Sequence, residues 1–156
     1  MDVSQIFPNL FVGSFPGSVR DIERLARDFR VTAVLSLQSD DDLAYLGLDW
    51  QRMAACYGQS GIDVRRVPIW DFDRQDLRKQ LPLCVAALDE LLRARHTVYV
   101  HCNMGINRSP SAVIAYLCWI QGWDLEQAVD HVMRCRACDP YVEVIRLAGQ
   151  DRAMRS

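Results

Sequence analysis

The chain has 156 residues, half of them apolar, with 18 basic and 20 acidic side chains and a net charge of −2. That is the size of one compact domain around a single core, and its scattered basic residues leave no footprint for nucleic acid. The longest apolar stretch, Ala112 to Ile120, falls short of the roughly 20 residues a membrane span needs, which excludes a spanning helix.

In chain order, Leu10 to Val12 reads as a short strand, followed by a turn at Gly13, Pro16 and Gly17. Asp21 to Phe29 places Ile22, Leu25, Ala26 and Phe29 at the spacing of one helical face. Val31 to Leu37 is a buried strand, and Gln38 to Asp42, with its acidic run Asp40-Asp41-Asp42, is a solvated loop. A helix covers Asp49 to Gln59 and stops near Gly61. Val64 to Ile69 is the next strand, and Trp70 to Gln75 is an acidic loop. Leu77 to Arg95 is a long helix with Leu81, Cys84, Val85, Leu88, Leu91 and Leu92 inward, and Asp76 reads as its cap. Thr97 to Val100 is a β-branched and aromatic run suited to a central strand. A loop from His101 to Asn107 leads into an apolar helix from Arg108 to Gln121. Asp124 caps a further helix to about Arg136, and the last begins near Val142.

Strands alternating with helices, without repeats or linkers, predict a single α/β domain over residues 1–156. The expected architecture is a three-layer sandwich whose central, mostly parallel twisted sheet has about 4–5 strands flanked by helices. Ligands in such folds sit at the carboxyl ends of strands, where a loop feeds a helix N-terminus. The segment His101 to Arg108 occupies that place.

This segment, His101-Cys-Asn-Met-Gly-Ile-Asn-Arg-Ser109, joins a nucleophile, a loop of backbone donors and a cation. The thiolate is the reactive form of cysteine, and a helix N-terminus with a nearby cation favours it. No proline interrupts Asn103, Met104, Gly105, Ile106 and Asn107, so each backbone N–H is free to point inward. Gly105 permits the positive φ that such a ring of amides requires. A tetrahedral dianion fits this cradle, and the planar fork of Arg108 grips two phosphate oxygens at once. The chemistry predicted is phosphomonoester hydrolysis through a phosphocysteine on Cys102, with no cofactor and no metal. The proton for the leaving group comes from the loop after Ile69, where Asp71 and Asp73 both stand open as the general acid.

His-Cys-x-x-Gly-x-x-Arg-Ser resembles the signature of the protein tyrosine phosphatase superfamily. Ser109-Pro-Ser-Ala-Val-Ile-Ala-Tyr-Leu117 resembles its dual-specificity branch. The chain also resembles the plant glucan phosphatases that dephosphorylate starch. The shared stretches are Leu35-Ser-Leu-Gln-Ser-Asp-Asp-Asp-Leu-Ala-Tyr45, Gly47-Leu-Asp49, Trp70-Asp-Phe-Asp73 and Asp76-Leu-Arg-Lys-Gln-Leu-Pro82. The resemblance covers about Ile6 to Leu147. It implies that Cys102 is the nucleophile, Arg108 binds phosphate, Ser109 stabilises the departing thiolate and His101 orients the loop. It also aligns Asp71 with the general acid, and Phe72, Tyr45 and Trp70 with substrate-binding aromatics. Leu46, Met104 and Asn107 depart from the glucan enzymes, which carry Trp, Ala and Gly there.

The substrate expected is a phosphorylated protein, with phosphorylated glucan as the alternative and a non-catalytic phosphate-binding module as the remote one. The cysteines at 56, 84, 102, 118, 135 and 138 lie mostly in apolar segments, as in a reducing cytoplasm. The N-terminal residues lack the basic start and apolar run of a signal peptide. A cytoplasmic monomer without nucleic-acid or membrane partners is the expectation. Cys135-Arg-Ala-Cys138 has no second pair for a zinc site and sits at a helix end, so its expected role is structural. Cys84 and Cys138 are candidate disulfide partners for Cys102 under oxidation.

Overall fold

A computed structural model describes residues 1–156. Five strands form one sheet: β1 (Val3–Phe7), β2 (Leu10–Gly13), β3 (Ala33–Ser36), β4 (Asp63–Arg66) and β5 (Val98–His101), in the order β1-β2-β5-β3-β4. Only β1 runs antiparallel, as the outer arm of a hairpin with β2. The strands β2, β5, β3 and β4 are parallel, with Gly13 and Ser36 opposite His101 and Arg66 opposite Ser36. Their carboxyl ends are therefore level, and the loops that leave them converge on one edge.

Alternation along each strand divides the core in two. Leu10, Val12, Ala33, Leu35, Val98 and Val100 face a cluster of 27 buried residues. It is completed by α4 (Arg74–Arg93), α5 (Arg108–Trp119), α6 (Leu125–Cys135) and α7 (Val142–Met154). Phe11, Val34 and Tyr99 face a smaller cluster of 10 with residues of α1 (Val19–Asp28), α2 (Asp40–Tyr45) and α3 (Trp50–Gln59). The sandwich predicted from strand and helix alternation is the fold observed. Helix α5 is buried continuously from Arg108 to Leu117, as a helix apolar on every side must be. No helix is long and apolar enough to cross a membrane.

One element is added and two local expectations are corrected. Strand β1, where the sequence pattern assigns no element, pairs with β2 across a register shift between Gln5 and Phe7. The acidic run after Ser39 is helical rather than a loop. Ser39 Oγ accepts the Asp42 N–H and the Asp42 carboxylate accepts the Ser39 N–H, a complete capping box. Asp40, Asp41 and Asp42 thus occupy a first turn, where the helix dipole favours negative charge. Helix α4 begins at Arg74 and is capped by Asp73, not Asp76. The Asp76 carboxylate instead accepts the Trp70 N–H at 2.8 Å. Other boundaries shift by one to three residues, within the fraying of element ends.

Candidate active site

Strand β5 ends at His101, and α5 opens at Arg108. The six residues between them wrap around a cavity of about 220 Å³, whose wall includes Cys102, Asn103, Met104, Ile106, Asn107 and Arg108. Asp71 and Phe72, from the loop after β4, close the facing side. The cysteine and arginine of the motif therefore face one space, as their spacing predicts. Cys102 Sγ lies 3.3 Å from Ser109 Oγ in a shared hydrogen bond.

The carbonyls of the loop all turn outward and are all engaged. His101 Nδ1–H donates to the Cys102 carbonyl at 2.9 Å, and the Phe15 N–H to that of Asn103 at 2.9 Å. Arg136 donates to the Met104 and Gly105 carbonyls. The Asp139 N–H donates to Ile106 at 2.9 Å, and Ser111 Oγ to Asn107 at 2.6 Å. By contrast, the N–H groups of Asn103 to Asn107 donate to no protein acceptor. Because C=O and N–H lie on opposite sides of a planar peptide unit, carbonyls held outside leave the amides to face in. Gly105 adopts φ +68°, and a Cβ there would stand 2.5 Å from the Gly13 backbone.

Arg108 is 2 % exposed, and its guanidinium is split between two tasks. Nη1 donates to Asp42 Oδ2 at 2.6 Å and to the Ile69 carbonyl at 2.7 Å. Nε and Nη2, equally buried, have no hydrogen-bond partner. An unpartnered buried donor costs about 1–3 kcal/mol, a cost that an acceptor on a ligand would remove. Nη2 lies 3.3 Å from Asp71 Oδ2, an ion-pair distance without hydrogen-bond geometry. His101 is wholly buried, and burial pushes its imidazole down to about 4, aided by the Arg108 charge and opposed by the Cys102 carbonyl bond. It is therefore neutral at pH 7, with the proton on the nitrogen that meets the carbonyl.

The family model for the dual specificity phosphatase catalytic domain matches residues 10–145, most of the chain and the whole of this site. The chain belongs to this family. It is a cysteine-based phosphatase domain. Phosphoglucan phosphatase LSF1 of Arabidopsis thaliana is 37 % identical over 151 residues, which cover 97 % of this chain and 25 % of that protein. Phosphoglucan phosphatase DSP4 of Castanea sativa is 35 % identical over 149 residues, 94 % of this chain and 39 % of that protein. The chain thus spans between a quarter and two-fifths of the length of these relatives. Among solved structures, Tk-PTP in its active form superposes with a TM-score of 0.77 at 24 % identity, covering 99 % of this chain and 97 % of its own. That likeness shows a shared fold over the whole chain.

Not every residue singled out in the sequence reaches the cavity of this phosphatase domain. Asp73 is committed to capping α4. Tyr45, 90 % exposed, and Trp70, about half exposed, stand outside the cavity wall. Phe72 does line it, with φ +60° and 79 % exposure, so its ring projects to solvent and is not packed as a loop anchor.

Three partners of the site, Asp42, Gln38 and Arg136, are not singled out by the sequence pattern. Asp42 holds Arg108, and its Oδ1 also accepts from Asn103 Nδ2 at 2.9 Å. Gln38 Nε2 donates to Asn103 Oδ1 at 3.0 Å. The Ser39-x-x-Asp42 spacing was a legible cap signal for α2; nothing local marked its carboxylate as the partner of residue 108.

Proposed function

We propose that this domain hydrolyses phosphomonoesters through Cys102, and that its substrate is a phosphorylated glucan. The observation that carries the chemistry is that Cys102 and Arg108 line one cavity, with Nε and Nη2 of Arg108 left without a hydrogen-bond partner. The thiolate attacks phosphorus, forming the S–P bond as the P–O bond to the leaving group breaks. Inward amides and the Arg108 edge hold the equatorial oxygens as charge shifts among them. Asp71, across the cavity, protonates the leaving oxygen. In the second step its carboxylate takes a proton from water, whose oxygen attacks phosphorus. The Ser109 hydroxyl donates to the sulfur as the S–P bond breaks and thiolate returns.

Three features support a polysaccharide substrate. The two plant relatives are named as phosphoglucan phosphatases. Phe72 on the cavity rim, with Tyr45 and Trp70 nearby in sequence to site residues, exposes aromatic faces of the kind sugar rings stack on. The cavity wall holds no cation besides Arg108, which suits a neutral chain carrying isolated phosphates. The domain's relatives also include Dual specificity protein phosphatase 22 of Mus musculus, 29 % identical over 136 residues, so phosphoprotein is the competing class.

Two measurements test these claims. Cys102→Ser is expected to lower turnover of an aryl phosphate by more than roughly 10³-fold; retained activity would remove the phosphocysteine. Phosphate release from phosphorylated amylopectin should exceed release from phosphotyrosine peptides at equal phosphate. Phe72→Ala should cut the amylopectin rate about tenfold, the loss of an aromatic contact of ~1.4 kcal/mol. Faster release from the peptides would assign the domain to phosphoproteins.

A further inference from the structure

Arg136 caps the end of α6, between the two cysteines of Cys135-Arg-Ala-Cys138, both of which are free thiols. Its side chain is buried although charged, and its donors converge on few acceptors. Nε donates to the Gly105 carbonyl at 2.7 Å, and Nη2 to the Met104 carbonyl at 2.9 Å. Nη1 donates to Ser4 Oγ at 3.1 Å, and Nη2 also meets Asp2 Oδ1 at 2.5 Å. Asp2 is its sole carboxylate partner and is itself mostly exposed. A buried guanidinium is costly unless it is fully hydrogen-bonded, and here two of its bonds go to consecutive carbonyls of the phosphate loop.

Those two carbonyls decide the direction of the next two amides. In a planar peptide the Met104 carbonyl is opposed to the Gly105 N–H, and the Gly105 carbonyl to the Ile106 N–H. Fixing both carbonyls outside the ring fixes both N–H groups inside it. The contact is close: a Cβ on Gly105 would fall 2.7 Å from Arg136 Nη2. Only a planar fork with donors on adjacent nitrogens spans two successive carbonyls in this way; an ammonium is a point donor.

The geometry points to Arg136 as a positioning residue for phosphoryl transfer, aiming the Gly105 and Ile106 amides at the phosphate from behind the loop without touching substrate. This role rests on the cysteine phosphatase reading. The alternative is a purely structural one, in which Arg136 stitches α6 to the N-terminal strand.

Two readouts separate these roles: kcat and KM on an aryl phosphate, and the inorganic phosphate concentration that half-protects Cys102 from iodoacetamide. Both are normalised to folded protein. Arg136→Met is expected to lower kcat/KM roughly a hundredfold, the cost of misplacing a binding group by about 1 Å, and to raise the half-protecting phosphate about tenfold. Arg136→Lys, which keeps the charge and can reach one carbonyl, should recover part of both, and it serves alone if the Met variant does not fold. Arg78→Met, which breaks the ion pair with Asp151 between α4 and α7, should leave both readouts within about twofold. Phosphate protection in the Met and Lys variants equal to wild type, with an active wild type, overturns the positioning role alone. A wild-type protein without turnover overturns the phosphatase reading beneath it.

Discussion

Asp42 carries two positioning bonds on one carboxylate, to Arg108 Nη1 and to Asn103 Nδ2. Burial works to raise its carboxyl, but the Arg108 hydrogen bond, the Ser39 N–H, the Arg108 charge and Asn103 outweigh this and hold it below the ordinary carboxylate value. It is therefore ionised throughout the neutral range and is the counter-charge of the buried Arg108 guanidinium. Its removal leaves Arg108 buried with one fewer acceptor, and breaking such a pair costs about 3 kcal/mol or more. Asp42→Ala is expected to lower the unfolding free energy by that order and kcat/KM on an aryl phosphate by at least about tenfold. Asp42→Asn, which keeps the acceptor and loses the charge, should fall between. Urea unfolding and steady-state kinetics check both; an alanine variant with wild-type kinetics would show that the Ile69 carbonyl and the loop suffice to aim residue 108.

At the scale of elements, the loop before α4 separates two aspartates that the sequence leaves in competition. Asp73 Oδ1 accepts the Asp76 N–H at 2.9 Å as the helix cap, whereas Asp71 turns into the cavity. Asp73→Ala should cost about 1 kcal/mol of stability with little change in the chemical step. Asp71→Asn should depress kcat about 10²-fold or more for an alkyl phosphate, less for a nitrophenyl ester whose leaving group needs no proton. Equal effects on both esters would move the acid elsewhere.

Most elements were legible because their signals are local: the apolar stripe of α4, the β-branched run before His101, and the glycine within the loop. Strand β1 was not, because Val3 to Phe7 earns its structure only by pairing with β2 and packing beside α6. The cap of α4 was misplaced by three residues because Asp73 and Asp76 offer the same chemistry, and only the tertiary path of Trp70 tells them apart. The partners of the active loop, Asp42 and Arg136, lie 66 and 28 residues from Arg108 and Arg108's own neighbours in sequence say nothing of them. Cys102 and Arg108 themselves were legible because their spacing is closed by a single turn of chain.

Across the whole molecule, His101 links the stability of the sheet to the state of the loop. It ends the central strand, is fully buried, and gives its one proton to the Cys102 carbonyl while Nε2 has no partner. A second proton would have to be placed in that apolar setting beside the Arg108 charge, and this holds the imidazole at about 4 against an ordinary 6.5. Between those values the unfolded chain takes up a proton that the folded protein refuses. Stability is thus complete above about pH 6.5 and declines as pH falls toward 4, by about 3 kcal/mol over the window at ~1.36 kcal/mol per pH unit. The Asp42 carboxylate, held low, adds its own loss only at more acidic pH, below the ordinary carboxylate value. Replacing the imidazole with an amide that can still donate to the carbonyl, His101→Asn, is expected to flatten the pH 6.5–4 limb by one proton while lowering stability at pH 7.5. Urea midpoints across that range give the comparison, and parallel curves for the two proteins would assign the acid lability to other groups.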